Sequence, residues 1–130
     1  MEILFLIGRI LFGGFFLWMG IGHFTKKVGL IAYAQSRGVS STSAAVLLSG
    51  VMIILGGVGI ILGVFIDIAL WLIIIFLVFV SFMIHKFWEI NDPSQRMVEA
   101  NAFMKNIALL GAALMMLIIS SPWAISLGSY

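Results

Sequence analysis

Residues 44–84 read AAVLLSGVMIILGGVGIILGVFIDIALWLIIIFLVFVSFMI and carry one charged side chain, Asp67. A helix needs ~20 residues to cross a ~30 Å hydrocarbon core, so this stretch of about forty is two spans and the chain must reverse near Asp67. In lipid only a helix or a closed barrel satisfies its own backbone N–H and C=O groups. The period-2 alternation of a barrel strand is absent, which leaves helices. Outward from this stretch lie two more apolar runs, residues 3–24 and 103–119. The expected fold is all-α: a four-transmembrane-helix bundle, one integral membrane domain over residues 1–130. Its spans fall at about 3–24, 44–65, 68–84 and 103–119, with a short interfacial helix after the first.

The composition agrees. Hydrophobic residues make up 63% of the chain and charged residues 9%, against about 25% charged in a soluble domain. The net charge of +2 comes from a few loop Lys and Arg residues and does not point to nucleic acid. With no cysteine, a CxxC redox pair, a thiolate zinc site, a cysteine-held iron–sulfur cluster and a disulfide are all excluded. No metal site is expected. A redox role would require a bound cofactor or a diffusible quinone. The first run follows Met-Glu-Ile-Leu with no basic flank and exceeds a signal h-region, so it is expected to stay as a true span.

The connections hold the polar residues. After Lys26 and Lys27, residues 28–37 read as a short helix lying in the interface, ended by Gly38 and a serine-rich linker. Asp67 is placed to cap the third helix. Asn91-Asp92-Pro93 is a strong helix start: Asp92 as N-cap, Pro93 at N1 and Gln95 completing a capping box. Lys26, Lys27, Arg37, Lys86, Arg96 and Lys105 all fall on one side of the expected bundle. The positive-inside rule then predicts a multi-pass protein of the cell (inner) membrane, with both termini outside the cytoplasm. Trp71 and Trp123 are expected in an outer aromatic belt, Trp88 in the inner one and Trp18 deeper. Gly59 with Gly63, and Ala108 with Ala112, form small-xxx-small pairs, and Gly13, Gly14, Gly20 and Gly22 line the first span. Such faces serve helix packing and are also expected to support a homo-oligomer.

Few side chains here can carry chemistry. Arg9 sits six residues into the first run, or ~9 Å below its outer edge. It reads either as an outer-leaflet anchor paired with Glu2 or Asp67, or as a site for an anion or a quinone carbonyl. His23 and His85, the two histidines, end the first and third spans at similar depth. They are candidates to hold a quinone head group or, less simply, a haem; the plain alternative is two amphipathic residues at headgroup level. Trp88, Lys105 and Asn106 fall nearby, as do Lys86, Glu89, Asn91, Asp92, Glu99 and Asn101. Gln95, Glu99 and Asn106 share one face of the fourth helix, which either joins the histidines or is an ordinary solvated face. No Asp or Glu lies deep in a span, which argues against a proton-coupled exporter.

These residues resemble a known family. RILFG over 9–13 and FLWMGIGHF over 16–24 are similar to the opening helix of DoxX-family membrane proteins; LGG over 55–57 and LGVF over 62–65 are similar to the second. HKFW over 85–88, Asp92-Pro93 and FMKNIALLG over 103–111 extend the likeness to the end of the chain. The resemblance implies a four-helix inner-membrane protein. It includes a subunit associated with an archaeal quinol oxidase and thiosulfate:quinone oxidoreductase, and members linked to oxidative-stress assemblies. One departure is Ile53, where many relatives carry Glu.

Three functions follow as expectations. The leading one is a quinone-interacting or redox-associated subunit. In it His23 and His85 bond the quinone carbonyls, Trp88 stacks on the ring, Arg9 or Lys105 offsets charge, and a redox partner docks on the cytoplasmic side. The second is a non-catalytic scaffold or assembly partner. The third, disfavoured by the missing carboxylate, is a small transporter. No catalytic residue is assigned.

Overall fold

The computed structural model describes residues 1–128. Ser129 and Tyr130, and with them the C-terminus expected outside, lie beyond the described residues. Among the described residues five α-helices follow in order: α1 Glu2–Thr25, α2 Lys27–Ser36, α3 Thr42–Leu62, α4 Ile66–Met83 and α5 Pro93–Met116, with a single 3₁₀ turn at Phe87–Glu89. No strand occurs among the described residues. Three segments are long and apolar enough to cross a membrane: Glu2–Thr25, Thr42–Leu62 and Ile66–Glu89. α5 falls short of that measure because its opening turns, PSQRMVEAN, are polar and its helix stops at Met116. The expected run over 103–119 therefore ends early, its last residues lying in turns.

The most extensive packing is of α1 on α3, followed by α3 on α4 and then α4 on α5. Backbone approach between α1 and α3 explains the glycines. A Cβ at Gly13 would lie 2.6 Å from the Gly57 carbonyl oxygen, and one at Gly57 would lie 2.5 Å from that of Gly13. Two turns along, a Cβ at Gly20 would meet the Gly50 carbonyl at 3.0 Å. Seven residues is two turns, so each pair keeps to one face. The expected Gly59–Gly63 pair is not a helix interface of that kind. Gly59 faces Ala69 of α4, while Gly63 ends α3 in a left-handed turn with φ 71°. Gly14 and Gly22 face open space. The glycines in contact are thus used within one chain.

Phe16, Ile53, Ile60, Leu70, Ile73, Leu77 and Ala113 form the enclosed core. Ile53, where the resemblance leads one to look for Glu, is fully buried there. Helix starts divide on chemistry. Asp92 caps α5 as expected, accepting from Gln95 N at 3.0 Å and from the Ser94 hydroxyl at 2.6 Å. Asp67 does not cap α4. Phe65 takes the N-cap position at φ 47°, leaving Asp67 inside the first turn, where its charge still faces the helix dipole. Trp123 also departs from the belt reading. It is 2% exposed, set edge-on to Phe5 of α1, and its indole donates to Ile119 O at 3.2 Å.

Candidate functional site

At the end of the bundle where α1 stops, α4 stops and α5 starts, helix α2 lies across a cavity of about 300 Å³. Its walls are mostly apolar (Met19, Leu30, Val46, Phe76, Phe79, Val80), and its polar lining is Tyr33, His23, His85, Lys105 and Ser49. His23 reaches it from the last turn of α1, held by Nδ1 2.8 Å from Met19 O, with its ring 6.0 Å from that of Phe76. Gly50 of α3 allows this: a Cβ there would lie 2.7 Å from His23 Cβ. Lys105 comes from α5, its ammonium 5.4 Å from the centre of the Phe15 ring.

His85 follows α4 and is fixed by Glu99 of α5, its Nδ1 2.6 Å from Oε2. The Tyr33 hydroxyl of α2 donates to the other oxygen, Oε1. Burial penalises the Glu99 carboxylate, yet the hydrogen bonds from Tyr33 and His85, with the charges of His85 and Arg37, outweigh it and hold its pKa below the ordinary value of 4.5. Burial first, and the Glu99 bond and charge second, push the Tyr33 hydroxyl upward. Glu99 is therefore an anion at neutral pH and Tyr33 a neutral donor. On the far side of Tyr33 and Glu99 a polar vestibule of about 450 Å³ opens, with Arg37, Ser94 and Gln95 on its walls. Tyr33 lines both spaces, Glu99 only the vestibule and His85 only the inner cavity. Arg37 closes the frame by donating to Ile84 O at 2.7 Å and Lys86 O at 3.0 Å, just past the end of α4.

Of the residues singled out in the sequence, the fold gathers His23, His85 and Lys105 at one cavity. Asn106, next to Lys105, is buried at 3% exposure but is not in that lining. Trp88 stacks in an aromatic cluster, 5.7 Å from Phe103 and 6.3 Å from Phe82, outside the cavity. Arg9 stands apart at the opposite end. It pairs with neither Glu2 nor Asp67; its guanidinium donates to Ile60 O, Ile61 O, Ala124 O and Ile125 O at 2.6–3.1 Å. Phe5 and Trp123 flank it within 5.8 Å. Sequence reading missed Tyr33 as a polar participant, since it sits among apolar neighbours on α2. For Glu99 it left open a face that joins the histidines or one that meets solvent, and it named no partner. Tyr33 and Glu99 stand 66 positions apart, which leaves no local signal of their bond. No group of three or more His, Cys, Asp or Glu suited to a metal occurs among the described residues.

A bundle of apolar helices around such a pocket can be compared with known families. The DoxX family model matches residues 4–86. The chain belongs to the DoxX family. That match runs from α1 through the end of α4, so His23, Tyr33, Arg37 and His85 lie within the matched DoxX region, whereas Glu99, Lys105 and Asn106 lie beyond it. No curated protein and no solved structure matches the chain. For this DoxX protein the site therefore combines residues of the family core with residues of α5.

Proposed function

We propose that this DoxX-family protein is a quinone-binding, redox-associated subunit of the cell membrane, with the quinone ring seated in the 300 Å³ cavity. The observation that carries the reading is the convergence of His23, His85 and Lys105, with Tyr33 and Ser49, on one mostly apolar pocket. Small-molecule sites have this form, a greasy enclosure with a few convergent polar groups, and run upward from about 300 Å³. Lys105 supplies a donor for a ring oxygen, and the Phe76 and Phe79 side of the cavity accepts an apolar ring and the root of its tail.

α5 is the fourth crossing in this proposal. It begins beside α2 and His85 through Glu99, and its far end is tied through Ile119 and Trp123 to Phe5 at the start of α1. From Glu99 to Met116 is ~26 Å of helix, close to the ~27 Å from Phe5 to His23 on α1. The cavity end also gathers Lys26, Lys27, Arg37, Lys86 and Arg96, which supports a cytoplasmic placement and an outer N-terminus. A soluble redox partner would then dock at the vestibule.

The test is direct. Solvent extracts of the detergent-purified protein are analysed for quinone, and binding of decylubiquinone is measured by equilibrium dialysis. Saturable binding is expected, weakened about tenfold by Lys105→Ala, which removes the donor to a ring oxygen. A quinone-free protein that binds no decylubiquinone would leave the scaffold reading in its place.

A further inference from the structure

The donors and acceptors around the cavity treat the two forms of a quinone differently. His23 Nδ1 lies 2.8 Å from the Met19 carbonyl oxygen. A carbonyl only accepts, so Nδ1 carries the hydrogen, and in the neutral ring Nε2 is left with a lone pair. His85 Nδ1 lies 2.6 Å from Glu99 Oε2. An ionised carboxylate also only accepts, which commits Nδ1 of His85 as the donor and, in the neutral ring, leaves its Nε2 an acceptor as well. The Tyr33 proton is given to the other Glu99 oxygen, so toward the cavity the phenol oxygen accepts. Lys105, as an ammonium, offers the cavity donors and no acceptor.

An oxidised quinone offers two carbonyl acceptors and no donor. Its reduced form, a hydroquinone, offers two O–H donors and keeps the oxygens' capacity to accept. We infer that the cavity selects the hydroquinone, its hydroxyls donating to the Nε2 atoms of His23 and His85 and one oxygen accepting from Lys105. Glu99 acts as a positioning residue: it touches no ligand and sets which nitrogen of His85 faces the cavity. This rests on the quinone-binding reading above.

Decylubiquinol and decylubiquinone are titrated separately, under argon at about pH 8, into the detergent-purified full-length protein. The quinol is expected to bind about tenfold more tightly, the effect of two hydrogen bonds that the quinone cannot make. Glu99→Gln places an amide that can donate to Nδ1, which moves the imidazole hydrogen to Nε2. The quinol-to-quinone ratio should then fall toward one, the quinone gaining as the quinol loses. Glu99→Asp keeps an acceptor-only partner and should retain the preference, which separates tautomer control from a folding defect. Equal affinities in the unaltered protein, or a preference for the quinone, overturn the inference while leaving quinone binding intact. If Glu99→Gln weakens both forms equally, Glu99 does not set the tautomer, and that part of the inference fails. Binding of neither form overturns both readings.

Discussion

Arg9 and Arg37 bind backbone carbonyls at opposite ends of the bundle, Arg9 those inside the last turn of α3 and Arg37 those just past α4. The last four carbonyls of a helix have no intrahelical donor. In α3, Gly59 O accepts from the N–H groups of Gly63 and Val64, Arg9 takes Ile60 O and Ile61 O, and Leu127 N donates to Leu62 O. The same guanidinium reaches Ala124 O and Ile125 O, so one side chain ties a helix end to the C-terminal segment. Five donors in a rigid plane suit this; a lysine ammonium could not span the four oxygens. Arg9→Met should lower stability by about 2–4 kcal/mol, since a buried carbonyl without a partner costs about 1–3 kcal/mol and some will find water. Hydrogen exchange at residues 119–128 should quicken with it, and Arg9→Lys should recover only part of the loss. Unchanged stability in reversible detergent unfolding would contradict the clasp. That Arg9 is buried and multiply bonded, rather than an anchor reaching outward, was not legible from its position alone. Its partners lie 51 and 115 residues away.

At the scale of elements, glycine placement decides how closely α1 and α3 approach, and Gly50 sets where His23 stands. A methyl group at Gly13 or Gly57 meets backbone oxygen, which cannot swing aside as a flexible side chain can. Gly57→Ala should therefore cost about 1–3 kcal/mol through separation of the two helices. Gly14→Ala, one residue along α1 from Gly13 and with nothing near its Cβ, should be neutral or stabilising by about 0.5–1 kcal/mol. Melting of the two variants in detergent checks the contrast, and equal behaviour would remove the packing argument. A list of glycines in the sequence does not separate these cases, because the side on which a neighbouring helix lies is a tertiary fact. Helix ends were easier. Asp92-Pro93 specifies its own start through a local hydrogen bond, and α5 begins there. Asp67 offered the same chemistry, but the tight reversal put Phe65 at the cap.

For the whole molecule, the proposed orientation predicts which loops face the cytoplasm. The chain has no cysteine, so single cysteines report without background. In intact cells a membrane-impermeant maleimide should label Asp67→Cys, whereas Lys27→Cys should react only after lysis. The reverse pattern would invert the topology and place the cavity on the outer side. The membrane-embedded helical fold, the reversal between α3 and α4, the start of α5 and the family were legible without the structure. Each follows from local composition or spacing: lipid tolerates no unsatisfied backbone, and about forty apolar residues exceed one bilayer. Which polar residues meet was not legible in the sequence, because it depends on how the helices pack. His23 and His85 sit 62 positions apart in the chain, and Lys105 joins them from a third helix. Tyr33 and Glu99 come together because α2 folds back over the end of α4, and Arg9 is drawn to the other end by the open carbonyls of α3. Helix periodicity gives each residue a face, but the direction of that face depends on its neighbours, and those are chosen by packing across the whole bundle.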